Sequence, residues 1–328
     1  TRAKTFPQVV VTGSGTPLAE RLRGDGVPVH VTRWRAGLDP RVLGAIISEL
    51  RSGPALLHAH DAHSLTLAGL ASWYSKAPLI VTRRVDFPLR RRGFWPRADR
   101  VIAISDAVAR VLQADGIDPK RISVVRSGID LDEVQRATPQ GLRQQLGLPE
   151  GTLLALNLGA LVPHKDHVTL LHSAALLRER LPFLHWVIAG DGPLRGELEA
   201  MRQALGLREC VHLLGHVSQP LRVLADANVF VMSSRQEGLG TSVLDAMARG
   251  IPVASTTAGG LPEMLADGAG LLVPPEQPFA LAEAVARLLT DPGLREQVQA
   301  RALAVVQRFS TQRMAAEVGA VYRSCTSN

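Results

Sequence analysis

The sequence predicts an α/β fold of two Rossmann-like domains, each a parallel sheet covered by helices, facing one another across a central cleft. Three observations carry this expectation. Short apolar runs alternate with helical stretches along almost the whole chain, the pattern of parallel sheets with helices on both faces. The alternation breaks once, over residues 137–151 (ATPQGLRQQLGLPEG), where Gly, Pro and Gln dominate, and then restarts. The chain has 328 residues, more than a single core usually accommodates, so two domains of about 150 residues are expected.

The apolar runs place first-half strands at 8–12, 28–32, 55–58, 79–82, 100–104 and 122–125. One intervening helix opens at Asp106, with Ser105 as its N-cap. Second-half strands fall at 153–158, 185–189, 211–214, 229–232, 251–254 and 270–273. Helices follow at 278–289 and 294–306, and a last one at 311–322 is capped by Ser310. The expected division is 1–140 for the first domain, 141–151 for a linker and 152–309 for the second. Residues 310–328 are expected to form a helix returning to the first domain.

Composition narrows the classes. Hydrophobic residues make up 46% of the chain and charged ones 20%, without an apolar run of the roughly 18 residues a membrane span needs. No signal peptide is visible at Thr1, and two cysteines without framework spacing suit a reducing compartment, so a cytoplasmic location is expected. The net charge of +7 is uneven: residues 1–150 carry +8 and the remainder −1. In PLRRRGFWPR, Arg90, Arg91, Arg92 and Arg97 bracket Phe94 and Trp95, a composition suited to an anionic membrane surface or an acidic acceptor. A solvated arginine-rich loop is the plainer alternative. Nucleic-acid binding is disfavoured, because no helix-turn-helix, zinc-ligand set or aromatic stacking sheet accompanies the charge.

The residues that carry chemistry sit at strand ends. In NVFVMSSRQEGLGTSVLDAMARGIPVA, the carboxylates Glu237 and Asp245 flank a turn, Gly238-Leu239-Gly240, that opens a helix at Thr241. The first turn of such a helix presents unpaired N–H groups and a positive dipole end, which suits a phosphate. In LGALVPHKDH, Gly159 permits a tight turn, and Lys165 is the only lysine beyond residue 150. A compact ammonium there suits a leaving diphosphate. AGDGPL adds a further turn, Gly190-Asp191-Gly192, read as presenting free N–H groups to the same edge. LLHAHDAHS puts His58 and His60 on one strand face, with His60 the better candidate to face substrate. Its order differs from the H-x-H-x-D-H of binuclear hydrolases, so no metal site is expected. Gly13-Ser14-Gly15 resembles a dinucleotide loop but lacks the third glycine and the following acidic residue.

In order along the chain, HAHDAHS, ADRVIAISDAVARVL, RISVVRSGIDLDEV, GALVPHKDH, VIAGDGPL, VHLLGHV and SSRQEGLGTSVLDAMARGIPVASTTAGGLPE resemble the group 1 glycosyl transferases, glycosyltransferase family 4, which are retaining enzymes of GT-B architecture. The resemblance implies an acceptor-binding first domain and a nucleotide-sugar-binding second domain. It implies a nucleoside diphosphate sugar as co-substrate, no cofactor or metal, and a glycan or lipid-linked acceptor in cell-envelope synthesis. The basic first half fits such acceptors, and the expected position is cytoplasmic with a peripheral site at the inner membrane face as the alternative.

By that resemblance Lys165 neutralises the donor diphosphate, Glu237 meets the sugar hydroxyls and His60 lies beside the sugar. Residues 211–213, with His212 among them, line the base pocket. Asp245 stands where the family usually has a ribose-holding glutamate, and Ala160 where it usually has an arginine. Arg235, Arg83 and Arg84 are candidates to replace that cation, and Arg83, Arg84, Arg90, Arg91, Arg92 and Trp95 are candidates for acceptor or surface binding. The chain also opens unlike the family: either it begins inside the first domain, or Gly13-Ser14-Gly15 stands in place of the family's Gly-Gly loop. Two alternatives stand: a catalytically weak nucleotide-sugar binder or assembly partner, favoured by Ala160 and Asp245, and a nucleotide-dependent oxidoreductase or epimerase built on residues 13–15.

Overall fold

The computed structural model describes residues 6–32, 39–89 and 93–326, and in these the chain forms two compact units. One comprises the chain to Arg126 and again from Met314, and the other is Ser127–Arg313.

In the first unit the strands are β1 (Val10–Gly13), β2 (Val29–Thr32), β3 (Leu57–Ala59), β4 (Leu79–Arg83), β5 (Arg100–Ala103) and β6 (Ile122–Val124). β1 and β2 pair as a separate two-stranded sheet, and β3 to β6 form a second parallel sheet in chain order. β4 and β5 are the apolar centre of the larger sheet, with Ile80, Val81, Val101 and Ala103 fully buried. Residues of β1 are only half-buried throughout, as expected of a two-stranded ribbon without a covering layer on each face. The helix Thr311–Thr326 brings Val321 onto Ile80, Ile102 and Val125.

The second unit holds β7 (Leu153–Leu158), β8 (Leu184–Ala189), β9 (Val211–Gly215), β10 (Val229–Met232), β11 (Val253–Thr256) and β12 (Leu271–Val273). They form one parallel sheet in the order β12-β11-β10-β7-β8-β9. The chain winds outward from β7 through β8 and β9, then crosses to β10 on the other side of β7. That reversal is a topological switch point, where the loops leaving two adjacent strands part and leave a crevice. One core cluster gathers Leu170, Val229, Val231 and Leu281 with the aromatic Trp186, and Phe230 of β10 is also fully buried.

All six strands expected in each half form, and all three sheets are parallel, but the first half divides its strands between two sheets rather than one. β11 starts two residues later than its apolar run, because Pro252 has no N–H to give the ladder and serves only as an acceptor, from Phe230 N–H at 2.9 Å. The chain enters the second unit at Ser127, ahead of the expected linker. Residues 140–143 are fastened to that unit: the Asp226 carboxylate accepts from the N–H groups of Gln140, Gly141 and Leu142 at 2.9, 3.0 and 3.3 Å. Arg143 donates to Thr152 O at 2.8 Å and to Asn228 Oδ1 at 2.6 Å. A glycine-rich stretch reads as a joint when its partners are some 85 residues away.

Candidate functional site

At the switch point of the second unit, the loops after β7 and β10 are bolted together. Ser233 Oγ donates to Lys165 O at 3.0 Å, and Arg235 N–H donates to His164 O at 2.8 Å. Thr256 Oγ1, at the end of β11, donates to Ser234 O at 2.6 Å, and Gly260 N–H holds Glu237 O at 3.0 Å. On this frame the Lys165 ammonium and the Glu237 carboxylate form a direct ion pair, their side chains 18% and 12% exposed. The two residues placed at one site by the sequence are therefore in contact. An ammonium has three donors, so one bond to Glu237 leaves two for phosphate oxygens.

Gly159 follows β7, its N–H bonded to Ala189 O at 3.0 Å. A side chain at Gly190 would bring its Cβ within 1.9 Å of Gly159 O, so only glycine lets the β8 turn cross so close. Two of the three amides of the Gly190-Asp191-Gly192 turn are already paired within the fold. Gly190 N–H donates to Gly215 O at 2.8 Å, and Gly192 N–H to the Asp191 carboxylate at 2.8 Å. Asp191 O in turn accepts from Leu161 N–H at 3.0 Å. The turn's work is to brace the Gly159 loop from beside it.

After β10, Gly238, Leu239 and Gly240 are buried, and the Leu239 side chain packs into the core. Gly240 is left-handed (φ 95°) and gives the helix Thr241–Ala248 no side-chain cap, so its first turn opens toward the edge with its dipole unscreened. A Cβ at Gly240 would lie 2.9 Å from Leu261. Thr241 is exposed beside it. Asp245 sits on the same helix, packed against the helix Leu131–Arg136. Burial, with the Glu133 carboxylate second, pushes its pKa up to about 7. It is therefore partly protonated at neutral pH.

His212 does not join this group. It is the second residue of β9, toward the strand's amino end, its ring stacked on His185 with centroids 5.3 Å apart. Burial and then the His185 ring lower its pKa to about 4. Arg235 is committed to Pro163 O at 3.0 Å and to Glu276 at 3.3 Å, and Ala160 is exposed at the edge. Two polar residues the sequence reading passed over lie beneath Lys165: Asn157 within β7 and His167 at the start of the next helix, bonded to each other at 3.1 Å. A lone asparagine inside the run LLALNL was the available signal.

In the first unit His58 is a satisfied structural histidine. Its Nδ1 lies 2.6 Å from Tyr322 Oη and its Nε2 2.7 Å from Thr82 Oγ1, and burial, followed by His60, lowers its pKa to about 3. His60 lies against it, ring centroids 4.1 Å apart, at an exposed position. Desolvation and then Arg84 lower its pKa, with Asp61 opposing them. Asp61 itself caps the next helix, accepting from Ser64 N–H at 2.7 Å in a reciprocal capping box. Among the described residues no cluster of three or more His, Cys, Asp or Glu is arranged to hold a metal ion.

The surface-binding candidates divide. Arg83 donates to Val85 O at 3.1 Å and Phe87 O at 2.6 Å and stacks over Trp95 at 5.6 Å, so it fastens its own loop. Trp95 is 4% exposed and is a core residue rather than a surface one, while half-buried Phe94 packs against Gly69. Arg84 is exposed, and Arg90, Arg91 and Arg92 lie outside the described residues. Gly13-Ser14-Gly15 is a tight turn from β1 into the helix Pro17–Gly24, capped by Thr16. No helix among the described residues is long and apolar enough to cross a membrane.

Known proteins are similar to this chain in sequence and in fold. Residues 140–304 match the family model for glycosyl transferases group 1, and residues 3–133 that for glycosyltransferase family 4. The D-inositol 3-phosphate glycosyltransferase of Streptomyces bingchenggensis is 33% identical over 241 residues, 69% of this chain and 52% of that protein. The chain thus spans about half the length of that relative. The alpha-D-kanosaminyltransferase of Streptomyces kanamyceticus is 27% identical over 85% of this chain and 72% of its own. Among solved structures, Anabaena Alr3699/HepE in complex with UDP-glucose superposes with a TM-score of 0.85 at 22% identity, covering 96% of this chain and 91% of that one. With one family model spanning the unit that carries Lys165 and Glu237 and the other the unit that carries His60, the chain belongs to the group 1, family 4 glycosyl transferases.

Proposed function

We propose that this chain transfers a hexose-type sugar from a nucleoside diphosphate donor to an acceptor hydroxyl with retention of anomeric configuration. The observation that carries the reading is the contact between Lys165 and Glu237 at the switch point of the second sheet. Lys165 neutralises the departing diphosphate, aided by the uncapped start of the helix at Thr241. Glu237 accepts from donor-sugar hydroxyls, and Asp245 in its ionised form accepts from the ribose. A leaving phosphate oxygen takes the acceptor proton, so neither a protein nucleophile nor a metal ion is needed. His60, kept neutral by its surroundings, is available as a hydrogen-bond partner for the sugar.

Named relatives act on inositol phosphate or transfer kanosamine, and structural neighbours are bound to UDP and UDP-glucose. These support a nucleotide-sugar donor and a polar acceptor. A glycan or lipid-linked acceptor at the inner face of the cell membrane suits the basic first half. The test is a thermal-shift screen against UDP, GDP and ADP, followed by transfer from the matching sugar donor with the product's anomeric configuration read by NMR. A ligand present at a hundredfold its Kd adds about 2.7 kcal/mol of stability. An inverted product would overturn the mechanism.

Ala160 and the raised pKa of Asp245 favour a second reading, a donor binder with weak or no turnover. Binding without transfer to any acceptor, and without donor hydrolysis, would select it.

A further inference from the structure

Beneath Lys165 runs a buried polar chain. Asn157 Nδ2 donates to Val231 O of β10 at 2.8 Å. A carbonyl only accepts, so this bond fixes the amide's orientation and leaves Asn157 Oδ1 as an acceptor. His167 Nε2–H donates to that oxygen at 3.1 Å, which sets the imidazole tautomer. His167 is 1% exposed, and burial followed by the Lys165 charge lowers its pKa to about 4, so the ring stays neutral. Its Nδ1 is buried without a hydrogen-bond partner.

A buried acceptor left unpaired costs stability, and two apolar side chains of similar size would avoid the cost. What the pair supplies instead is direction. His167 is the first residue of its helix, two places after Lys165, with Asp166 between them in a left-handed conformation (φ 49°) that is rare outside glycine. Asp166 caps the helix through Thr169 N–H and Oγ1, at 3.3 and 2.7 Å. The loop is therefore held below by His167 on β7 and β10, and beside by Ser233 on Lys165 O.

We infer that Asn157 and His167 are positioning residues for donor binding: they pin the turn that carries Lys165 to the two central strands, so that the ammonium stands at the diphosphate position. This inference rests on the donor reading above. It goes beyond that reading by giving a function to a buried pair that touches no ligand.

The test uses the full chain, with UDP, GDP and ADP titrated by calorimetry and the thermal midpoint measured alongside. The apolar double variant Asn157→Leu/His167→Leu is expected to keep a midpoint near the original while its nucleotide Kd rises roughly tenfold, as loosened supporting shells do. His167→Gln places an amide N–H where Nε2–H was and is expected to retain the original Kd, whereas His167→Asn is too short and is expected to lose affinity like the double variant. Should the double variant not fold, the Gln and Asn variants decide. Original affinity in the double variant, or equal affinity in Gln and Asn, overturns the inference while leaving the donor reading in place. Failure of the unmodified chain to bind any of the three nucleotides overturns the donor reading and this inference with it.

Discussion

The Lys165 ammonium is bonded to the Glu237 carboxylate, 72 residues away in the chain, because each follows one of the two strands at which the second sheet reverses direction. Neither charge is well solvated, so removing one partner takes the ion-pair contact away from a charge that water reaches poorly. Lys165→Met and Glu237→Leu are each expected to destabilise the second unit by about 3 kcal/mol, and the double variant by less than the sum of the two. Chemical denaturation checks this, and additive losses would show the pair to be independent.

The close crossing at Gly190 gives a steric prediction. Gly190→Ala drives a Cβ into Gly159 O, backbone against backbone, so the β8 turn must move. A loss of at least 2 kcal/mol is expected, together with weaker nucleotide binding. Gly196→Ala, in a helix with open space around it, is expected to be neutral or to stabilise by about 0.5–1 kcal/mol.

Asp245 makes stability depend on pH near neutrality. Its carboxyl titrates at about 7 when folded and at roughly 3.9 when unfolded, so the folded state holds the extra proton between those values. Its contribution is present at the acid end of that window and is lost as pH rises through 7. Asp245→Asn is therefore expected to raise the melting temperature at pH 8 by several degrees and to change it little at pH 5. Equal effects at both pH values would contradict the assignment. If the ionised form holds the ribose, nucleotide affinity rises over the same interval in the original chain and not in the variant.

His58 works in the opposite sense in the first unit. Its pKa falls from about 6.5 unfolded to about 3 folded, so the stability it contributes is present above pH 6.5 and declines as pH falls toward 3. Removing the phenol in Tyr322→Phe takes away its Nδ1 partner and is expected to cost about 1 kcal/mol at pH 7. His58→Phe should flatten the acid limb of the first unit's melting curve, which hydrogen exchange at Ile80 and Ile102 would follow.

How much of this was legible in the sequence differs by scale. Strand positions were, because runs such as VVVT, LIVT and VFVM are apolar and bounded by turn residues, and so was the meeting of Lys165 and Glu237 at one site, because both follow strands of a parallel sheet; their direct ion pair was not. Backbone partners were not. Gly190 and Gly192 read as free amides until Gly215 O and the Asp191 carboxylate are seen to accept from them. Trp95, set among arginines, read as surface although it packs under Arg83. His212 lies within β9 itself, with Leu213 and Leu214 between it and Gly215 at the strand's carboxyl end. The split of the first sheet into two also escaped, since local patterning marks strands and not their neighbours.

The central claim is that Lys165 binds the diphosphate of a sugar donor. Calorimetric titration of the best-bound nucleoside diphosphate into the unmodified chain and into Lys165→Ala, with folding checked by circular dichroism, tests it most directly. The account predicts a loss of about 1.5–3 kcal/mol in the variant, roughly ten- to a hundredfold in Kd, with the fold intact. Unchanged affinity in a folded Lys165→Ala protein would contradict it.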